Sequence, residues 1–380
     1  MAQIASTTKN VLVVAGDPSG DLHAARLIKA LEEKDPEISV TSIGGVRMRE
    51  VSTHFIYNLV SVGAVGFAEP FKNFFLWLKL IRLVRRYLED RKPACVIAVD
   101  FYGFNHQILG LAAHRKIPAY YYISPQVWAS RPGRAKAIAR LTKEIFVIFP
   151  FEEAIYAKAG GKASFLGHPL LDLMPDAPAP KPAGGPLRIG LLPGSRRSEL
   201  ERHLPLFVKA FYKIKSVHAD AKGYVFAVPE FPDEKLLPML ADAWPGAEEE
   251  IEIVRESDYA VRGTLDFAFT ASGTATLENA LLGVPMLVAY RMPRFTYEIA
   301  KRVITVPYIS LVNVLLKKPA VKEFIQDKAT VELLSQEAFS VLNNPSKAEA
   351  MRRDYKAVRA MLGEKGVAAR AAERIAAVLR

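Results

Sequence analysis

The sequence predicts an α/β protein of two Rossmann-like, doubly wound domains facing across a cleft, with a helical C-terminal tail. Three observations carry that prediction. Short apolar runs alternate with stretches of helical periodicity from Val11 onward, the pattern of a parallel sheet covered by helices on both faces. The segment MPDAPAPKPAGGP (174–186) places five prolines and two glycines in thirteen residues, which suits neither a helix nor a central strand. Beyond it the alternation restarts. At 380 residues the chain is long enough for two cores. The expected organisation is a first domain over 1–173, a linker over 174–186, a second domain over 187–345 and C-terminal helices over 346–380.

Composition narrows the class. Hydrophobic residues make up 50% and charged residues 24%, as in a soluble globular protein. The net charge of +11 implies an acidic partner: nucleic acid, an anionic membrane surface or a phosphorylated substrate. Nucleic acid is disfavoured, because the positive charge is scattered and no recognition module is present. The lone cysteine, Cys95, lies in an apolar run and reads as core. With no disulfide to form, a reducing cytoplasm is expected. The N-terminus lacks the pattern of a signal peptide, and no run reaches the ~18 apolar residues of a membrane span.

In chain order, VLVVAG (11–16) reads as a buried strand, followed by Gly16-Asp17-Pro18-Ser19-Gly20-Asp21 and a helix. The turn has neither a GxGxxG fingerprint nor a P-loop lysine, so dinucleotide and Walker-type sites are not supported. Its two acids would repel phosphate. It reads equally as a surface for sugar hydroxyls or as plain turn chemistry. Further strands are expected at ISVTSI (38–43), ACVIAVD (94–100), PAYYYIS (118–124) and EIFVIF (144–149). Ligands of such sheets bind beyond the strands' carboxyl ends, which gives priority to Asp17, Gly44, Asp100, Ser124 and Pro150. Asp100 closes a very apolar run. Partial burial there would raise its proton affinity and suit a general base, although capping of the next helix is the alternative. Asn105 could position a hydroxyl or cap, and His168 reads as structural or as a contact to the cleft.

Residues 67–92 break the pattern. From Phe74 to Val84 the apolar residues run all round the expected helix, interrupted by Lys79 and Arg82 and followed by Arg85 and Arg86. With Phe71, Phe74, Phe75, Trp77 and Leu78 as apolar contacts, the stretch reads as a segment lying in a membrane interface, with its basic groups near lipid phosphates. Burial under a subunit or an extra layer is the alternative.

In the second half, strands are expected at 187–194, 223–228, 251–254, 265–270 and from Met286, with helices from about Ala329. Two turns stand out. Gly194-Ser195-Arg196 opens a helix, with a glycine for close approach, a hydroxyl donor and an arginine suited to phosphate. The stretch Ser272-Gly273-Thr274 leads into a helix bearing Glu278. Alone it reads equally as an anion cradle with a hydroxyl-reading acid or as an ordinary capped helix. Anion donors plus such an acid would serve a nucleoside diphosphate, and Arg291 could add to them. No zinc spacing, GxSxG elbow or DxD-like acidic pair is present, so metal-free chemistry is expected.

Several blocks together resemble one family. They are GDPSGD (16–21), AVDFYGFN (98–105), YYISPQVWASRPGR (121–134), FPFE (149–152), FLGHPL (165–170), LLPGSRRSE (191–199), ASGTATLE (271–278), AYRM (289–292) and YISLVN (308–313). In that order they resemble the lipid-A-disaccharide synthases, bacterial glycosyltransferases of the two-domain GT-B fold. The resemblance implies transfer of 2,3-diacylglucosamine from UDP-2,3-diacylglucosamine to the 6-hydroxyl of 2,3-diacylglucosamine 1-phosphate (lipid X), with inversion. It implies Asp100 as general base and Arg196 as a donor-phosphate ligand. It groups Gly194, Ser195, Arg196, Ser272, Gly273, Thr274, Glu278, Arg291 and Asn313 at the donor. Asp17, Ser19, Gly20, Asp21, Asn105 and Gln126 fall at the acceptor. The implied place of work is the cytoplasmic face of the inner membrane of a Gram-negative bacterium, peripherally bound, with no metal or other cofactor. A homodimer is left open. Where the family commonly has Glu, this chain has Asp17. It has Phe-Tyr-Gly after Asp100 where others carry a small residue, Pro and Asp, which leaves Asp100 the one carboxylate of that loop. Rival readings are a lipid II transferase, a UDP-N-acetylglucosamine 2-epimerase and a non-catalytic, membrane-docked nucleotide binder.

Overall fold

The computed structural model describes residues 9–64, 70–176, 184–229 and 231–379, apart from the side chains of 62–64, 70–74 and 130. Two compact units result: Met1–Asp172 with Leu362–Arg380, and Leu173–Met361.

The first unit runs β1 (Lys9–Ala15), α1 (Pro18–Lys34), β2 (Ile38–Gly44), α2 (Val46–Val51), β3 (His54–Asn58), α3 (Leu59–Ala64), α4 (Pro70–Arg91) and β4 (Cys95–Val99). It continues through α5 (Tyr102–His114), β5 (Ala119–Tyr122), α6 (Val127–Ser130), α7 (Gly133–Leu141), β6 (Glu144–Val147), α8 (Glu152–Lys158) and β7 (Ala163–Phe165). The second runs β8 (Arg188–Leu192), α9 (Arg197–Lys215), β9 (Lys222–Phe226), α10 (Asp233–Ala243), α11 (Ala247–Glu250), β10 (Ile251–Val254), β11 (Phe267–Ala271) and α12 (Ala275–Leu281). It closes with β12 (Met286–Tyr290), α13 (Arg294–Val303), α14 (Leu311–Leu316), β13 (Glu323–Ile325), α15 (Val331–Leu342) and α16 (Pro345–Met361); α17 (Val367–Ala376) returns to the first unit.

Both sheets are parallel. Their orders are β3-β2-β1-β4-β5-β6-β7 and β10-β9-β8-β11-β12-β13. The order reverses between β1 and β4 in one unit and between β8 and β11 in the other, and those switch points are where such sheets bind ligands. The registers Ala15↔Val99 and Thr270↔Leu192 bring the loops after the paired strands to the same level. Val11 to Val14 and Cys95 to Val99 are completely buried, which is why these strands read as unbroken apolar runs rather than alternating ones. The sequence reading missed β3, β7 and β13, which are short or lie at sheet edges.

The helix α4 is more conventional than its sequence suggested. Leu80, Val84 and Leu88 are buried, and Trp77 turns inward to pack on Phe101 and Phe104, with ring centroids 6.2 and 5.1 Å away. Trp77 is therefore a core contact and not a membrane contact, and Leu78 is half-buried. The exposed side carries Phe75, Lys79, Arg82, Leu83, Arg85 and Arg86. Phe71 and Phe74 lie outside the described side chains. An apparently all-round apolar helix thus divides into a core stripe at helical spacing and a basic, partly apolar outer face.

The tail is likewise divided. α16 belongs to the second unit, and the chain re-enters the first at Leu362. There Asp172 accepts from the N–H groups of Gly366, Val367 and Ala368 at 2.6, 3.2 and 3.1 Å, capping α17, which packs along α1. His168 serves the same junction. It is buried, its Nδ1 accepts from the Leu170 N–H, its own N–H reaches the Leu362 carbonyl, and burial pushes its pKa down to about 3. His168 is structural. The expected separate tail over 346–380 is a helix of each unit. Of the expected linker, 177–183 lies outside the described residues.

Candidate active site

The first unit's switch point is built around Asp100, which follows β4 directly. Asp100 and Phe101 both adopt left-handed φ angles, 43° and 42°. Two adjacent non-glycine residues in that region store strain, which persists only where the surroundings over-determine it. Four hydrogen bonds do so. The Tyr121 hydroxyl donates to the Asp100 carbonyl at 2.6 Å, the Asn105 Nδ2 donates to the same oxygen at 2.8 Å and to that of Val99 at 2.9 Å, and the Asp100 N–H reaches the Tyr122 carbonyl. The Phe101 ring lies over Gly16, where any Cβ would come within 2.0 Å of it. That close approach is why a glycine ends the run after β1.

Burial first, and the neighbouring Asp17 carboxylate second, push the Asp100 carboxyl up to about 7 against the lowering effect of the Phe101 N–H. Although Phe-Tyr-Gly leaves Asp100 alone in its own loop, Asp17 supplies a second carboxylate from the adjacent loop. Asp17 is also the N-cap of α1, accepting from the Gly20 N–H at 2.5 Å. Ser19 and Gln126 are exposed near these strand ends, and Gly20 is buried in the first turn of α1.

Two expected acceptor ligands are structural instead. Asp21 is buried and accepts from the N–H groups of Gly45, Arg47 and Met48, capping α2, so it has no exposed face for a hydroxyl. Asn105 is completely buried with its Nδ2 donating to the carbonyls of Val14, Val99 and Asp100, so it shapes the Asp100 turn from inside rather than facing an acceptor. Glu152 was not singled out by sequence reasoning. Fully buried, it ties Trp128 Nε1 (2.9 Å) to the N–H groups of Ile148 and Phe149 at the end of β6, and burial raises its pKa to about 7.

In the second unit, Gly194 has φ 111°, and a Cβ there would meet Glu199 Oε2 at 2.4 Å. Glu199 is the hub of this loop. Its carboxylate accepts from the Ser195 and Arg196 N–H groups at 3.1 and 3.3 Å, from Arg196 Nη1 at 3.1 Å and from the Tyr290 hydroxyl at 3.1 Å. These backbone N–H groups are therefore engaged by the protein's own carboxylate. Ser195 and Arg196, the latter with a side chain 77% exposed, lie on the open side of this loop.

His203 joins this loop to the end of β12. Its Nδ1 is 2.9 Å from the Pro193 carbonyl and therefore carries the proton, leaving Nε2 to accept from the Arg291 N–H at 2.9 Å. Burial lowers its pKa, which keeps it in that neutral form. The Arg291 guanidinium is held by the Ala329 carbonyl at 2.5 Å.

After β11, Ser272 donates to the Ile309 carbonyl at 2.6 Å, and a Cβ on Gly273 would meet nothing within 4 Å among the described residues. Thr274 is exposed and begins α12. Glu278 is fixed from below. Arg262, 6% exposed, pairs with its Oε2 at 2.7 Å while also binding the Asn279 side chain and the Ala275 carbonyl, and the Tyr259 hydroxyl donates to Oε1 at 3.1 Å. Each carboxylate oxygen keeps a lone pair for a further donor. Asn313 departs from expectation. Completely buried, it bonds both backbone groups of Val321 and the Glu323 carboxylate, so it braces β13 and is not available to a donor sugar. Arg262 and His203 had no periodic or motif signal in the sequence to mark them.

Solved structures share this architecture. A putative UDP-N-acetylglucosamine 2-epimerase from Listeria monocytogenes aligns over 98% of this chain and 96% of its own, with a TM-score of 0.64 at 14% identity. A MurG from Acinetobacter baumannii aligns over 97% and 99%, with a TM-score of 0.60 at 17% identity. At that identity the likeness shows the fold, and the fold is the two-domain GT-B class. Sequence comparison resolves the family. The family model described as lipid-A-disaccharide synthetase matches residues 11–378. A lipid-A-disaccharide synthase from Geobacter metallireducens is 35% identical over 371 residues, 96% of each chain, and one from Anaeromyxobacter sp. strain K is 34% identical over 379 residues, 98% of each. The chain belongs to the lipid-A-disaccharide synthase family, and is thereby a glycosyltransferase of lipid A biosynthesis.

Proposed function

We propose that the chain transfers 2,3-diacylglucosamine from UDP-2,3-diacylglucosamine to the 6-hydroxyl of 2,3-diacylglucosamine 1-phosphate in one displacement. The acceptor oxygen forms its bond to the anomeric carbon as the bond to the β-phosphate oxygen breaks. UDP leaves with the electron pair, the anomeric configuration inverts, and the hydroxyl proton passes to Asp100. One base and no covalent nucleophile suffice for inversion. The observation that carries this reading is the state of Asp100: a carboxylate at a switch point, on a strained turn, with a proton affinity raised to about 7 by burial and by Asp17. A base of that pKa is half-ionised near neutrality and takes up a proton readily.

In the second unit the reading assigns Ser195 and Arg196 to the diphosphate, Gly273 and Thr274 to its close approach and Glu278 to a ribose hydroxyl. Arginine charge stabilises departing UDP without a metal ion. No helix among the described residues is long and apolar enough to cross a membrane. The exposed face of α4, with Phe75, Lys79, Arg82, Arg85 and Arg86, would bring the enzyme to the cytoplasmic surface where its lipid substrates reside.

The test is UDP release from UDP-2,3-diacylglucosamine with and without 2,3-diacylglucosamine 1-phosphate, with chelator in a parallel arm. Release that depends on the acceptor and persists with chelator is expected. Release without acceptor would point to an epimerase or hydrolase. UDP binding without turnover would leave only a nucleotide binder, and loss of activity with chelator would refute the metal-free reading.

A further inference from the structure

The second unit carries an amphipathic helix whose apolar face is open among the described residues. None of the ten residues of α13 is buried. A helix this short is marginal in water without tertiary packing, and of its ten residues only Tyr297 and Ala300 are even half-buried. Its sequence is sharply divided. Phe295, Ile299 and Val303 follow one another at four-residue spacing, and Thr296 and Ala300 extend the same arc. Arg302, Glu298, Arg294 and Lys301 occupy the opposite arc. Phe295 is 79% exposed, Ile299 47%, Val303 40% and the adjoining Ile304 40%. Phe295 is the most exposed large hydrophobic side chain among the described residues.

We propose that α13 is a second membrane-docking element, lying in the interface of a bilayer that carries anionic phospholipid. The charge pattern chooses this occupant. Three cations against one anion border the apolar arc, on a chain whose net charge is +11, and Lys301 is steered over the Tyr297 ring, 5.6 Å from its centroid. An apolar face that sinks to the acyl boundary, rimmed by Lys and Arg at phosphate depth, is the pattern of an interfacial helix. The proposal stands apart from the reading of α4 and from the transfer reaction, because it concerns a different unit and needs no substrate.

The test uses the full chain with vesicles of phosphatidylcholine alone and of phosphatidylcholine with phosphatidylglycerol. The variant F295W should show a blue-shifted emission component with the anionic vesicles and none with the neutral ones. The double variant F295S/I299S should partition at least about tenfold less, with its thermal unfolding unchanged because neither side chain is buried. R294E/K301E/R302E should lose the dependence on phosphatidylglycerol, and the same variants in a chain carrying F75S separate this surface from α4. Equal partitioning of wild type and F295S/I299S, or an emission of F295W indifferent to vesicles, would overturn the proposal. So would a vesicle-free dimer that the double variant converts to monomer, since the face would then be a contact between two copies.

Discussion

At the scale of single residues, Asp100 shows a functional group held at a cost to the fold. Its carboxyl sits at about 7 in the folded chain against an ordinary 3.8, so the folded state binds the proton more tightly than the unfolded state between those values. The sign follows: Asp100 leaves stability undiminished below about pH 4, erodes it as pH rises through that window, and its full cost is present above about pH 7. Asp100→Asn should therefore match wild type in thermal unfolding only below about pH 4 and exceed it at pH 8. The ceiling on the gain is about 1.4 kcal/mol for each pH unit between the two values. A variant less stable than wild type at pH 8 would contradict the role of burial. His203 works the opposite way, tying the Pro193 carbonyl to the Arg291 N–H only while neutral.

At the scale of elements, each switch-point loop is braced by a buried polar residue whose hydrogen bonds go to the protein itself. Asn105 holds the turn after β4, Glu199 the loop after β8, and Arg262 the helix after β11. Sequence reasoning found the loops, because an unbroken apolar run ending in small or acidic residues marks the carboxyl end of a buried strand. It mistook Asn105, Asp21 and Asn313 for ligands, because a polar residue just past a strand can point inward or outward and periodicity does not decide which. Trp77 was misplaced for a related reason: in a run apolar on all sides, only packing against Phe101 and Phe104 shows which face is core. Arg262 was invisible, a single basic residue ahead of a strand. Arg262→Met keeps most of the stem but removes the charge that orients Glu278, and breaking such a buried pair is costly. UDP affinity should fall about tenfold or more, with Glu278→Gln adding little further loss. Calorimetry on the two single variants and the double variant tests the coupling, and additive losses would count against it.

At the scale of the whole molecule, the parallel α/β plan was legible from alternation, and the first unit leaves off at Asp172, just ahead of the proline-rich segment. The route of the tail was not, since α16 and α17 read alike as amphipathic helices, and α17 is assigned to the first unit by contacts such as the Asp172 cap, the packing on α1 and the Arg374–Glu144 pair. Truncation after Met361 should therefore destabilise the unit that begins the chain, removing the buried Val367, Ala371, Ala372 and Ile375 from it, at several kcal/mol for the buried side chains together. Hydrogen exchange should report that loss in β1 and α1 and leave β8 to β12 protected; the reverse pattern would refute the assignment. The proposed transfer turns on Asp100 as the base that receives the acceptor's proton. Its most direct measurement is acceptor-dependent UDP release by Asp100→Asn alongside the variant's affinity for UDP. Turnover lowered by about a hundredfold or more with UDP affinity retained is the predicted result, together with a wild-type rate that falls as pH drops below about 7. Undiminished turnover by the variant would contradict Asp100 as the base.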